Sequence, residues 1–303
     1  MTAGPGDGGQ GTAARSAAPS AEDIQVPVPG RSRLPVWALG ISEAYIKIAP
    51  VVGVALLGLF VVRLVLMTSQ AATMEGAIGI DYRAVVDAAV RWLNGGSPYL
   101  ERQLHGPYDH LGWNTADTGE FLYPPVSLPI FAAFSVLPPA AWWVGWATLL
   151  VVGIFILRPG RAWWPVLGLL AATTTFVPVI IAGNPVLWIS LAALFGPILG
   201  WPGPLVLMKP SLAPFALLGM ASRSWWLSLA VIAVCCVPFG TLWVDWYHAV
   251  TDLRAEGILF SLGQVPIMLI PLVIIIGARP RGGLRLIPIR PRMPGAWRPV
   301  KSS

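Results

Sequence analysis

Large apolar residues in this chain come in long blocks separated by short polar interruptions. The first block runs from Ile48 to Met67. Residues 68–120 are too polar for hydrocarbon, and apolar segments then follow at about 122–138, 140–157, 162–182, 185–199, 203–219, 225–243 and 258–276. These runs approach the roughly 20 residues a helix needs to cross a bilayer's apolar core. The pattern predicts an all-α fold: a polytopic transmembrane helical bundle of about eight membrane segments. Two segments are broken by prolines, 122–138 by Pro124, Pro125 and Pro129, and 203–219 by Pro204, Pro210 and Pro214. A second arrangement therefore makes these two interrupted and non-spanning, a form tolerated where protein encloses a cavity.

The ends differ from the middle. Residues 1 to about 34 are mostly Gly, Ala, Pro and Ser, a composition that buries too little surface to offset its ordering entropy, so disorder is expected. No apolar signal-peptide core occurs there. From Arg279 onward there are seven basic residues and no acid. The reading divides the chain into a cytoplasmic tail (1–47), a membrane-embedded domain (48–278) and a basic cytoplasmic tail (279–303). Both termini are assigned to the cytoplasm because Arg31, Arg33, Lys47 and the C-terminal arginines flank the apolar region. Residues 68–120 hold seven of the fourteen acids and only three basic residues, which suits the outer side. Eight spans leave Arg158 and Arg161 outside, whereas two interrupted segments bring them inside.

Composition narrows the class further. The chain is 55% hydrophobic and 11% charged, with 15 tryptophans. Its net charge of +6 does not point to nucleic acid, because the basic residues sit at the ends and between apolar runs. Cys235 and Cys236 are adjacent within an apolar run, and His105, His110 and His248 are scattered, so no disulfide framework or metal motif is visible. Trp142–Trp143, Trp163–Trp164 and Trp225–Trp226 each open an apolar run and read as interface anchors, with sugar stacking as a second reading.

The stretch Ile80–Tyr99, IDYRAVVDAAVRWLNGGSPY, departs from its surroundings. Tyr82, Val85, Val86, Ala89, Val90 and Leu93 recur at helical spacing, while Arg83, Asp87 and Arg91 lie four apart, where opposite charges support each other. Gly95–Gly96 suits a helix C-terminus. The spacing predicts an amphipathic helix in the first outer loop, lying on the membrane surface. Asp81 stands at its front, either as an N-cap or as a carboxylate able to accept a proton at the water boundary.

This stretch resembles the segment after the first span in glycosyltransferase family 87, membrane enzymes of the GT-C type that use a polyprenyl-phosphate sugar, typically mannose. Downstream, FLYPPVSLPIFAAFSVLPPAAWWVGW is similar to the family's Tyr-Pro-Pro segment, IAGNPVLWISLAALFG to its Gly-Gln/Asn helix start, and LVLMKPSLAPFALLGMASRSWW to its Lys-Pro/Thr segment. The four occur in the same order over about Ile80 to Trp246. Gly-Asn replaces the commoner Gly-Gln, and the chain is shorter than the family's usual length.

The resemblance implies transfer of a hexose, mannose by the family's usual donor, from a polyprenyl-phosphate sugar to a lipid or glycan acceptor on the outer side, with inversion. It places the base at Asp81, with Glu120 as runner-up. The leaving phosphate requires cations, and Lys209, inside an apolar run, is the leading candidate, with snorkelling to the headgroups as its ordinary alternative. Arg102 and Arg254 are outer-side alternatives. Tyr123 with Pro124–Pro125 shapes a donor groove or simply breaks the chain before a helix; Asn184 bonds a sugar hydroxyl or caps the next helix. His248 is expected in a solvated loop. No cofactor or metal is implied, and the partners are the lipid-linked sugar, its acceptor and the bilayer. The rival readings are a transporter of lipid-linked sugars and a non-catalytic membrane subunit.

Overall fold

In a computed structural model, residues 36–105, 120–255 and 264–279 are described, with side chains from 43–105, 120–251 and 264–279. The expected disordered segment 1–34 and nearly all of the basic tail lie outside the described residues. The chain forms two units, 1–43 and 44–303. The described part of the first, residues 36–43, is helical, and the packing and the site lie in the second. The α-helices are α1 (Val36–Ala72), α2 (Ile80–Leu93), α3 (Glu101–His105), α4 (Leu128–Ser135), α5 (Ala140–Leu157), α6 (Trp164–Ala171), α7 (Phe176–Ala182), α8 (Val186–Leu199), α9 (Arg223–Cys236), α10 (Leu242–Ala255) and α11 (Val265–Ile276). No strand occurs among the described residues.

Among the described residues, two helices, Glu43–Ala72 of α1 and the whole of α5, are long and apolar enough to cross a membrane. The number becomes four if two bent pairs each count as one span: α6 with α7 (65° bend), and α9 with α10 (98° bend). α1 turns Val51, Val54, Val65 and Leu66 outward. Exposed apolar side chains along such a helix are stable only against hydrocarbon or another apolar surface. The 122–138 segment holds a short 3₁₀ turn, Pro125–Ser127, and the eight-residue α4, so it is interrupted.

Contacts between helices define two ends. α1 and the α6–α7 pair run in parallel. Tyr45 Oη donates to the Ala162 carbonyl at 2.7 Å, and Phe60 packs on Phe176 with ring centroids 5.5 Å apart. Glycines let these helices close up. A Cβ on Gly53 would meet Trp164 at 2.7 Å, and one on Gly168 would meet Leu56 at 2.7 Å. Arg63, within the first apolar block, donates to Ala172 O (2.9 Å) and Thr174 O (3.3 Å). It thereby satisfies carbonyls left over where α6 ends and α7 has not begun.

At one end of the bundle, Gly160 N donates to Gly277 O (2.9 Å) and Arg279 N to Leu157 O (2.7 Å). Arg158, Arg161 and Arg279 are therefore neighbours in the chain segments that meet there, and Tyr45 joins them through Ala162. At the other end, Gly79 N donates to Ile181 O (2.8 Å), so the start of α2 meets the finish of α7. α5 leads from this second end to the first, roughly 27 Å away at 1.5 Å per residue.

The 203–219 segment is folded as two consecutive 3₁₀ helices, Gly203–Met208 and Pro210–Leu217, packed on each other. Prolines prevent a continuous α-helix here. Both feet rest on α8 near Gly196: a Cβ on Gly203 would come within 2.5 Å of Leu218 O, and one on Gly196 within 2.7 Å of the same atom. The segment is thus a hairpin that rises beside α8 and returns. Its apex is Lys209, whose extended backbone (φ −128, ψ 90) breaks the two helices apart.

Three local expectations need correction. Tryptophan pairs are not simply interface anchors: Trp142 (1% exposed) and Trp225 (5%) are core residues, and the Trp225 indole N–H donates to Ala216 O at 2.7 Å. On α2 the buried residues are Tyr82, Ala84, Val85, Ala88 and Ala89, packed against α4 and α7, while Val90 and Leu93 are exposed. The face is rotated toward the small alanines because α4 approaches closely there. Nor do Arg83, Asp87 and Arg91 form a ladder of ion pairs: Arg83 donates to Gly76 O, and Arg91 to Pro98 O (2.7 Å). The helix stop follows its glycines. Gly95, at φ 81, donates to Trp92 O and Gly96 donates to Arg91 O, the two bonds of a Schellman motif.

Candidate functional site

The site lies at the end of the bundle opposite Arg158, Arg161 and Arg279. α2 begins there after Gly79, which occupies the N-cap position at φ 72. The expected capping role of Asp81 is therefore not observed. Asp81 is the second residue of the helix, and its side chain is free to face sideways. α7 ends at Gly183, at φ 68, where a Cβ would press within 2.9 Å of both Trp143 and Tyr82. Glycine at this position lets the chain turn tightly beneath α2, and the next residue, Asn184, arrives beside Asp81.

Asn184 Nδ2 donates to Asp81 Oδ2 at 2.7 Å. On its other side, Asn184 Oδ1 accepts from the backbone N–H of Val186 (2.9 Å) and from the Tyr123 hydroxyl (3.3 Å). The Lys209 ammonium stands over the Tyr123 ring, 5.5 Å from its centroid, a cation–π geometry. Four residues expected at the site from sequence, Asp81, Tyr123, Asn184 and Lys209, thus converge from four separate stretches of chain. Asp81, Asn184 and Lys209 are half-buried and Tyr123 is buried. Asn184 does part of what its sequence position suggested: its oxygen accepts from the first N–H of α8, whose N-cap is Pro185, and its amide faces a carboxylate, where a sugar hydroxyl had been expected.

The strip carrying Tyr123 is held from outside by three side chains that sequence reasoning missed. Gln103 Nε2 donates to Phe121 O (3.1 Å), Trp246 Nε1 to Leu122 O (3.1 Å) and Tyr99 Oη to Tyr123 O (3.1 Å). Three successive carbonyls, which a strip without helix or sheet would leave unmet, are each satisfied. Gln103 is 1% exposed within the charged run ERQLH, and no periodicity or charge marks it in the sequence.

Electrostatics follow from this packing. Burial raises the Asp81 carboxyl above its usual range, while the Asn184 amide and the Lys209 ammonium pull it back. Glu120 is also raised by burial, with Arg102 opposing. Arg102 and Glu120 act on each other. Arg254 belongs to the last turn of α10, and its side chain lies outside the described residues. His248 is exposed, as expected, but it lies on α10 and not in a loop. Among the described residues, no three His, Cys, Asp or Glu side chains come together as a metal ion requires. Lys209 brings a positive charge to the site.

In comparisons with protein-family models, with curated proteins and with solved structures, nothing matches this chain.

Proposed function

We propose that the protein is a membrane glycosyltransferase of the GT-C type, resembling glycosyltransferase family 87, that transfers a hexose, mannose by that resemblance, from a polyprenyl-phosphate sugar to a lipid or glycan acceptor. The observation that carries this reading is the meeting of Asp81 and Lys209 across Tyr123 and Asn184. A carboxylate and an ammonium at one half-buried site match the two charges such a reaction must manage.

In the proposed step, Asp81 takes the proton of the acceptor hydroxyl. That oxygen forms a bond to the anomeric carbon as the bond from the carbon to the lipid phosphate breaks on the opposite face, with inversion. The bonding pair leaves on the phosphate, which gains one negative charge, and Lys209 lies where it can hold that charge. Tyr123 carries Lys209 on its ring face.

Sidedness follows in the same reading. Arg158 and Arg161 meet Arg279 at one end, and arginines gather at cytoplasmic ends. The site is at the other end, so catalysis takes place on the outer side, with both termini inside. The interrupted segments 122–138 and 203–219 line the site without crossing, and the remaining apolar segments of the eight make the passes.

The test is sugar transfer by the purified protein in lipid nanodiscs, given a labelled polyprenyl-phosphate mannose and a lipid extract as acceptor. Wild type forms a labelled glycoside and Asp81→Asn does not. Transfer by Asp81→Asn at the wild-type rate would remove the base from the mechanism. The interrupted hairpin bearing Lys209 also suits a transporter. Passage of the label across a sealed vesicle without glycoside formation would establish that second reading in place of the first.

A further inference from the structure

The backbone N–H of Val186 has one possible polarity: it donates. It lies 2.9 Å from Asn184 Oδ1, so the oxygen of that amide must face α8. The Tyr123 hydroxyl approaches the same oxygen at 3.3 Å and donates to it as well. With the oxygen committed, the amide nitrogen is the atom that faces Asp81, at 2.7 Å from Oδ2. Asn184 cannot turn over without setting the Val186 N–H against its own N–H₂ and its own oxygen against the Asp81 carboxylate. A fixed backbone group on α8 therefore dictates, through one side chain, that Asp81 Oδ2 meets a donor. We infer that Asn184 is a positioning residue that holds Asp81 as a proton acceptor, with Oδ2 engaged and Oδ1 left as the atom that receives a proton.

This goes beyond helix capping, and it separates two properties of the asparagine. Its oxygen serves α8; its nitrogen serves the carboxylate. Other charged and titratable groups act on Asp81 as well: Lys209 from the hairpin apex and the Tyr123 hydroxyl from the strip before α4. Neither donates to Oδ2, so neither replaces the amide. The Asn184 hydrogen bond lowers the proton affinity of Asp81 against the effect of burial, in keeping with the geometry. The inference rests on the proposed role of Asp81 as a base, but its test does not need the reaction.

Two substitutions separate the halves of the asparagine. Asn184→Asp keeps an oxygen for Val186 and Tyr123 but turns a second acceptor toward Asp81. Asn184→Leu removes both functions. The readout is the carboxyl infrared band that disappears on ionisation, assigned to Asp81 by its absence in Asp81→Asn, followed against pH in detergent-solubilised protein. Thermal unfolding is measured alongside. Asn184→Asp is expected to raise the proton affinity of Asp81 about tenfold or more, since a charge-assisted hydrogen bond is lost and a second carboxyl is set against the first. Asn184→Leu shifts the same titration upward and also lowers the unfolding temperature. A titration of Asp81 in Asn184→Asp that coincides with wild type would reduce Asn184 to a helix cap and overturn the inference. Absence of sugar transfer by wild type, with the titration shifted as expected, would overturn the proposed function alone.

Discussion

The Tyr123 hydroxyl donates to Asn184 while the face of the same ring carries the Lys209 ammonium. One aromatic side chain therefore touches both halves of the site, the carboxylate side through its oxygen and the cationic side through its π face. Tyr123→Phe keeps the face and loses the hydroxyl; Tyr123→Leu loses both. In a donor-binding assay with a polyprenyl-phosphate sugar, Tyr123→Phe is expected to bind near wild-type affinity, whereas Tyr123→Leu binds more weakly by about 2- to 5-fold, the worth of a modest cation–π contact. Equal losses in the two variants would show that the ring face has no part in holding Lys209.

Lys209→Met keeps an unbranched side chain of similar length and removes the charge. The proposed role for the leaving phosphate makes donor affinity fall by roughly tenfold or more, the loss of one charge-assisted hydrogen bond. Unchanged affinity in an equilibrium measurement would take Lys209 out of donor binding.

The carboxyl of Asp81 binds its proton more tightly in the folded protein than its ordinary value of 3.8 implies. The folded form is therefore favoured, by this group, when Asp81 is protonated. That contribution is fully present below 3.8 and is lost as pH rises through the higher folded value. The proposed transfer activity moves the opposite way, rising over the same interval as Asp81 ionises. At neutral pH, Asp81→Asn is expected to unfold at a temperature no lower than wild type while its transfer rate drops by about 10²–10⁴. A clear fall in its unfolding temperature at neutral pH would contradict a burial-raised carboxyl.

Arg63 bonds two carbonyls at the α6–α7 break from inside the first apolar block. Arg63→Leu leaves both carbonyls without that donor. The expected loss is about 1–3 kcal/mol in stability, seen as a lower unfolding temperature in detergent. An unchanged unfolding temperature would mean that water or other groups satisfy the break.

The feet of the 203–219 hairpin offer a separate check. Gly219 has φ 87, and a Cβ there would lie 2.2 Å from Gly196 O. Gly219→Ala must push the hairpin off α8, with a cost above about 1–3 kcal/mol. Loss of stability should be accompanied by weakened donor binding, because Lys209 is carried on the displaced element. Weaker binding absent in a folded Gly219→Ala protein would uncouple the feet from the apex.

Much of this was legible in the residues, for identifiable reasons. The 140–157 segment is uninterrupted by proline or charge, and its helix has those same bounds. The glycine pair after Leu93 stopped α2 as its chemistry requires. Asp81 and Lys209 stood out because charge beside or within apolar sequence is costly, and such residues are kept where something uses them. What could not be read was partnership. Asn184 carries no charge and fits a cap and a ligand contact equally well in sequence, and only its position under α2 shows that a carboxylate is its neighbour. Gln103, Tyr99 and Trp246 act on backbone carbonyls, which have no signature in side-chain spacing. Trp142 was misread as an interface anchor because a tryptophan at the head of an apolar run looks the same whether lipid or protein covers it; here Phe134 and Trp188 do.

A lysine near the end of a helix that passes through a bilayer tolerates small slips in register, because its long stem reaches to the headgroups. The 203–217 hairpin has no such latitude, since its stem starts from a fixed point on α8 and stops at Lys209. The stem is a ruler: each residue added to or removed from Gly203–Met208 would move the ammonium by ~2 Å, the rise of a 3₁₀ helix. Length in that stretch, more than the identity of its aliphatic side chains, is what keeps the positive charge at the height of the tyrosine ring.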